Sequence, residues 1–357
     1  MKTYTCQCGN TLYFANSLCL TCQRPVGFLS DAQVISSCDI DAEGHWIATV
    51  NGRAYRQCRN YAVTNICNWL IPQDKQQALC DACALTDTIP DQSKPDNKTL
   101  WFRMEQAKRH LLYTLYKLKL PVVGKRDAPD GMSFRFLEDQ EEALFGRELT
   151  VKNSVITGHS DGVITINIKE AEASKRLEMR EMMNERYRTL IGHFRHESGH
   201  YYWDKLVKNS AHLDDFRQLF GDERQDYQKS LERYYAEGPA KNWYQQCISA
   251  YASMHPWEDW AETWAHYLHM VDTLETAHEY QTSLENITLS NPLIDEYPYS
   301  PSFNEKTFDT LLDDWDKLTT LLNALNRSMG LDDAYPFVLT PPAREKLHFI
   351  HLLVRES

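Results

Sequence analysis

Apolar residues recur with helical spacing in four stretches of this chain. Leu100, Met104, Ala107, Leu111, Leu115 and Leu118 mark one face of an amphipathic helix that Pro121 ends. From Glu170 to Lys208 there is no proline, and Met183, Tyr187, Leu190, Ile191, Phe194, Tyr201 and Trp203 follow a helical period, which predicts one half-buried helix. A third helix starts at Pro256, because proline fits a first turn, and carries Trp257, Trp260, Trp264 and Leu268 as its apolar side. Phe308, Leu311, Leu312, Trp315, Leu318, Leu322 and Leu325 outline a fourth, with Gly330 as its stop.

Strand signals are fewer. Ser154 to Thr157 and Val163 to Ile168 are β-prone runs around Gly158-His159-Ser160-Asp161-Gly162, and Asp161-Gly162 is a hairpin-turn signal. Such a strand either borders a cleft and pairs with an extended peptide backbone or is an ordinary hairpin, and His159 and Asp161 fit a site or a turn equally. Trp46 to Val50 is a further β-prone run, and Pro90 to Asn97 is polar enough to be a linker. The pattern predicts an α+β chain, mainly helical with a small β-sheet.

The second helical stretch holds His196-Glu197-Ser198-Gly199-His200. Two imidazoles at i and i+4 face the same side of a helix and can grip one zinc ion. Glu197, beside the first, is placed to take a proton from a water that the metal activates. Gly199 costs a helix about 1 kcal/mol relative to alanine, so a small residue there predicts close approach by another segment. A hydrolytic zinc site has three protein ligands, and the third is expected in the helix that begins at Pro256. Glu258 and Glu262 lie one turn apart there, with His266 a turn further. Glu262, deeper in the helix, is the preferred ligand, with His266 as its hydrogen-bonding support. Tyr251 and His255, just before that helix, are candidate donors to the oxyanion of a peptide-cleavage intermediate.

Nine of the ten cysteines precede residue 84. Cys6 and Cys8, followed by Cys19 and Cys22, have the paired spacing of a four-thiolate zinc ribbon. Cys58, Cys67, Cys80 and Cys83 form a second, looser set. Cys38 and Cys247 are left over as simple thiols. The start of the chain, Met1 to Cys6, has no apolar stretch resembling a secretory signal, and no run approaches the roughly 20 apolar residues that span a bilayer. A reducing, cytoplasmic setting is therefore expected, in which clustered cysteines are metal ligands rather than disulfides.

Residues 192–203, around His196 and His200, and residues 256–268 together resemble a gluzincin-type HExxH metallopeptidase. With Thr157 to Ile168 and Leu325 to Gly330, the whole chain is similar to the bacterial family of zinc-binding metallopeptidases that carry an N-terminal zinc ribbon. The resemblance implies a zincin-like metallopeptidase domain and hydrolysis of peptide bonds, but no particular substrate. Gluzincins often have an aspartate four residues after the glutamate ligand, where this chain has His266.

Composition sets the outer limits. A net charge of −12 over 357 residues disfavours nucleic acid. The first 95 residues carry seven Lys plus Arg against eight Asp plus Glu, so the ribbon has no basic excess either. The expected organisation is a zinc ribbon over 1–30, a second cysteine-rich β module over 31–88, and the metallopeptidase domain over 98–357. It implies one catalytic zinc and one or two structural ones, a peptide or protein substrate, a possible protein partner for the ribbon, and no membrane. The rival reading is a non-catalytic zinc-binding adaptor, against which stands Glu197, since metal binding alone does not require it.

Overall fold

The computed structural model describes residues 2–144, 148–182, 185–280, 282 and 307–357. The chain forms two compact units, one of residues 2–184 with 188–197 and one of residues 185–187 with 198–357. The division falls within a single helix, between Glu197 and Ser198.

The first unit begins with a short hairpin, β1 (Tyr4–Thr5) and β2 (Thr11–Leu12). Five strands then close into a barrel: β3 (Val26–Leu29), β4 (Val34–Ile40), β5 (Trp46–Ala48), β6 (Ala54–Gln57) and β7 (Trp69–Pro72). Consecutive strands are antiparallel, and a parallel pairing of β3 with β7 closes the ring. Val26, Phe28, Ile35, Tyr55 and Trp69 are buried, so the bulky and β-branched residues of these short strands find a common interior. Two single-turn helices, α1 (Arg59–Ala62) and α2 (Asp81–Ala84), begin directly after Cys58 and Cys80.

Strand β8 (Thr86–Thr88) leads to α3 (Asn97–Lys117), as the apolar period from Leu100 predicts. The helix ends just before Lys119, whose φ of 59° turns the chain out of helical geometry ahead of Pro121. Asn97 belongs to this helix, and its amide binds the Asp91 carbonyl and Glu138, so the polar stretch is tied down rather than loose. Next come β9 (Ser133–Leu137), β10 (Gln140–Leu144), β11 (Glu148–Asn153), β12 (Gly158–Ser160) and β13 (Val163–Asn167). A four-stranded sheet runs β12-β13-β9-β8, antiparallel only between β12 and β13. Under it, Lys108 and Glu105 of α3 form a fully buried ion pair at 2.7 Å, with the ammonium 5.6 Å from the Phe134 ring centre.

The hairpin turn falls at Asp161 and Gly162, both left-handed, with φ of 48° and 76°. Its strand partner differs from the expectation, because the pairing covers Gly158 to Ser160 while Ser154 to Thr157 lies outside any strand. The two-residue turn fixes Ser160 opposite Val163, so pairing starts there and counts backwards.

The predicted single helix from Glu170 to Lys208 is instead three pieces. A 3-10 turn covers Ile168–Ala171, α4 covers Ala173–Met182, and α5 covers Leu190–Leu206. Helix α4 buries no residue, so no packing fuses it to α5. Thr189 starts α5 afresh, its hydroxyl accepting the Gly192 N–H at 3.1 Å as an N-cap does. Met183 lies outside the described residues, and Tyr187 precedes the helix, stacked 5.4 Å from His269.

The second unit is helical: the end of α5, then α6 (Leu213–Phe220), α7 (Tyr227–Glu237), α8 (Trp243–Gln246), α9 (Pro256–Glu279), α10 (Phe308–Ser328) and α11 (Pro341–Glu356). The expected start at Pro256 and the stripe from Phe308 both appear, and Gly330, at φ 77°, ends the latter. Its core is aromatic: Tyr202 stacks on Trp264 at 4.9 Å, Trp264 on Trp260 at 5.8 Å, and Phe349 of α11 lies 6.2 Å from Trp260. Among the described residues no helix is long and apolar enough to cross a membrane.

Candidate metal centres

Each predicted cysteine set is a cluster in space. The ligand atoms of Cys6, Cys8, Cys19 and Cys22 lie within 4.8 Å of one another, and so do those of Cys58, Cys67, Cys80 and Cys83. The Sγ–Sγ distances of 3.6 Å for Cys6–Cys22, 3.7 Å for Cys8–Cys19 and 3.7 Å for Cys67–Cys80 are decisive. Four sulfurs at about 2.3 Å around a tetrahedral zinc stand ~3.8 Å apart, whereas a disulfide brings two sulfurs to about 2.05 Å. No cysteine is in a disulfide. Ionisation agrees: the Arg24 backbone N–H pulls the Cys22 thiol down to about 6, while burial holds Cys67 and Cys80 well above the usual thiol range. Four adjacent thiols cannot all ionise without a cation, which a bound metal ion would supply. Cys38 is buried among the barrel strands and Cys247 points to Asp259 Oδ2 at 3.8 Å, so neither joins a cluster.

The histidine site is built on α5 and α9. In the first unit, Phe194 of α5 packs against Phe134 and Phe136 of β9, with ring centres 5.8 and 6.0 Å away. Glu170 pairs with Arg188 at 2.7 Å and with His193 at 3.1 Å; burial opposes its ionisation, but these partners win and hold its carboxyl down at about 2. In the second unit, Gly199 does what its place in the motif predicts, though the neighbour is a helix. A Cβ there would lie 3.0 Å from the Ala261 Cα and 3.2 Å from Trp264 of α9. Two indole N–H groups bind the same turn, Trp260 to the Gly199 carbonyl at 2.8 Å and Trp264 to the Ser198 hydroxyl at 3.1 Å.

This contact fixes α9 against the turn at Ser198 and Gly199. The ligand atoms of His196, His200 and Glu258 lie within 4.8 Å of one another. Glu258 Oε1 is 3.5 Å from His200 Nε2, close to the ~3.4 Å between two ligands about 2.1 Å from a tetrahedral zinc. Glu262, the expected ligand, is not in this group. Its carboxylate accepts the Ser249 hydroxyl at 2.6 Å. Glu258 and His200 are almost fully buried, and the Trp257 ring lies 4.4 Å from that of His200. Glu197, between the two histidines, is also buried.

The remaining candidates divide. His255 is the N-cap of α9: Nδ1 accepts the Trp257 N–H at 3.1 Å and Nε2 donates to the Gln225 carbonyl at 3.1 Å, which engages both ring nitrogens. Tyr251 sits beside Tyr227 and Glu258, where burial and then the Glu258 charge push its ionisation far above the phenol range, so it keeps its proton. His266 bonds the Tyr335 hydroxyl at 2.7 Å. His159 accepts the Gly162 N–H at 3.0 Å and Asp161 pairs with Lys125 at 3.0 Å, both serving the hairpin turn. Tyr227, which donates to Glu258 Oε1 at 2.9 Å, carries no motif and was beyond sequence reasoning.

Residues 97–353 match the protein family described as "Putative zinc-binding metallo-peptidase". The chain belongs to this family. Residues 3–94 match a zinc-ribbon domain, and both cysteine clusters of this zinc-binding metallo-peptidase family member fall within that match. Over 359 aligned residues, covering 100% of this chain and 96% of theirs, it is 40% identical to proteins of Mycobacterium bovis and Mycobacterium tuberculosis, each named only as an uncharacterized protein. No solved structure matches it.

The closeness of α5 and α9 has a measurable consequence. Gly199→Ala gains about 1 kcal/mol of helix propensity. It also forces a methyl against a backbone carbon that cannot swing aside, at about 1–3 kcal/mol. A net loss is expected, read as a melting temperature lowered by a few degrees together with weaker zinc binding at the histidine site.

Proposed function

We propose that this family member is a zinc-dependent peptidase of the gluzincin type, acting on peptide or protein substrates. His196, His200 and Glu258 would hold the catalytic zinc. The observation that carries the reading is this two-nitrogen, one-oxygen set beside a buried glutamate that is not needed as a ligand. Bound zinc supplies Lewis acidity, which polarises the scissile carbonyl and makes the attacking water easier to deprotonate. The chain's own residues do the rest. Glu197 takes the proton of the attacking water and returns it to the leaving amine. Tyr251, held protonated, is the candidate donor to the oxyanion. The burial of Glu258 and His200 keeps bulk water from weakening these interactions. The two cysteine clusters are structural zinc modules, and a protein partner is the reading we favour for the ribbon.

Glutamine scanning tests the ligand set. Glu258→Gln is expected to lose the zinc held by the histidines while the cysteine-bound metal remains, and Glu262→Gln is expected to keep all of it. The reverse pattern in elemental analysis would restore Glu262 as the ligand.

A further inference from the structure

Helix α7 starts at Tyr227, behind Asp226, whose side chain caps it by accepting the Lys229 N–H at 3.1 Å. The cap fixes where the Tyr227 ring emerges. That ring lies 5.3 Å from His255 and 6.4 Å from Trp257, the two residues flanking Pro256 at the start of α9. Its hydroxyl donates to Glu258 Oε1 at 2.9 Å, and this is the oxygen that stands 3.5 Å from His200 Nε2.

A carboxylate oxygen has two lone pairs. One can take a metal while the other accepts a phenol proton. Glu258 is 2% exposed, so its anionic form needs donors that water cannot provide, and its side chain has rotatable bonds that must be held if its oxygen is to meet the imidazoles. Tyr227 answers both needs, and its own ring is fixed by aromatic contacts and a helix cap.

We infer that Tyr227 is a positioning residue of the metal site: its hydroxyl holds Glu258 Oε1 in place as the third ligand beside His196 and His200. This rests on the reading of those three residues as a zinc site. Losing a hydrogen bond that orients a ligand typically weakens metal binding about 10- to 100-fold. Because Tyr227 is itself 37% exposed, the lower end applies.

The test is a competition titration of zinc against a chromophoric chelator, on the full chain with its cysteine sites loaded. Tyr227→Phe is expected to weaken the histidine-site zinc about 10-fold, with cysteine-bound zinc and melting temperature unchanged. Tyr244→Phe, at an exposed tyrosine of the same unit, is expected to bind as wild type does. Cobalt placed in the histidine site provides a second readout, because loss of the phenol bond to its carboxylate ligand changes the visible spectrum. Wild-type affinity and an unchanged cobalt spectrum in Tyr227→Phe would overturn the inference alone. Absence of any histidine-site metal in the wild-type protein would overturn the site on which it rests.

Discussion

Replacing Glu197 with glutamine is expected to leave the zinc content of the protein unchanged while peptide hydrolysis falls by about 100- to 10,000-fold, the usual worth of a general base. The two side chains have nearly the same shape, so the packing around this buried position survives. What changes is proton affinity: a carboxylate accepts a proton from water and a neutral amide does not. Glu197 also follows His196 directly, and adjacent residues on a helix point about 100° apart, so it flanks the ligands rather than joining them. The loss should therefore appear in kcat rather than in metal binding. Cleavage of a peptide library at the wild-type rate by Glu197→Gln would show that some other group takes the proton. Unchanged zinc with abolished cleavage would count against the adaptor reading, since an adaptor has no rate to lose.

The second large effect is expected in the first unit. Cys80→Ser removes one thiolate from a cluster whose four members, Cys58, Cys67, Cys80 and Cys83, are all at most 3% exposed. Cys58 follows β6, Cys67 precedes β7 and Cys80 is the N-cap of α2, so the cluster ties together the segments around β6, β7 and α2. Backbone N–H groups already serve it, Trp69 to the Cys67 sulfur and Cys80 to the Cys58 sulfur, each at 3.3 Å. Structural zinc of this kind contributes about 10–16 kcal/mol of apparent binding energy. That is as large as the whole stability of a typical domain, about 5–15 kcal/mol. Cys80→Ser should therefore lose one zinc and the cooperative melting of the barrel. Cys38→Ser, at a buried cysteine outside both clusters, should keep both. A Cys80→Ser protein that melts as the wild type does would mean that the four sulfurs hold no metal.

Much of the chemistry was legible because it is local. His196 and His200 are bound by helical spacing, the cysteine pairs by tight turns, and the start of α9 by Pro256. The parts that were not legible depend on tertiary phase. Glu258 and Glu262 are equivalent on a helical projection. What separates them is position along the axis: Glu258, one turn nearer the start of α9, stands beside His200, and Glu262 meets Ser249. Tyr227 lies 31 residues before the glutamate it binds, with no periodicity to connect them. Thr189 was readable as an N-cap, but the apolar period on both sides of it concealed the break between α4 and α5. Strand β9 offered a usable sign in Phe134 and Phe136 alternating with Arg135, although nothing in its sequence says that it lies parallel between β13 and β8.

The peptidase reading requires a histidine-held zinc in addition to two cysteine-held ones. Zinc per chain, measured by elemental analysis on wild type and His200→Ala purified without chelators, addresses it directly. Three ions falling to two is the predicted result. Two ions in both proteins would mean that α5 and α9 hold no metal, and the peptidase mechanism would fall with it.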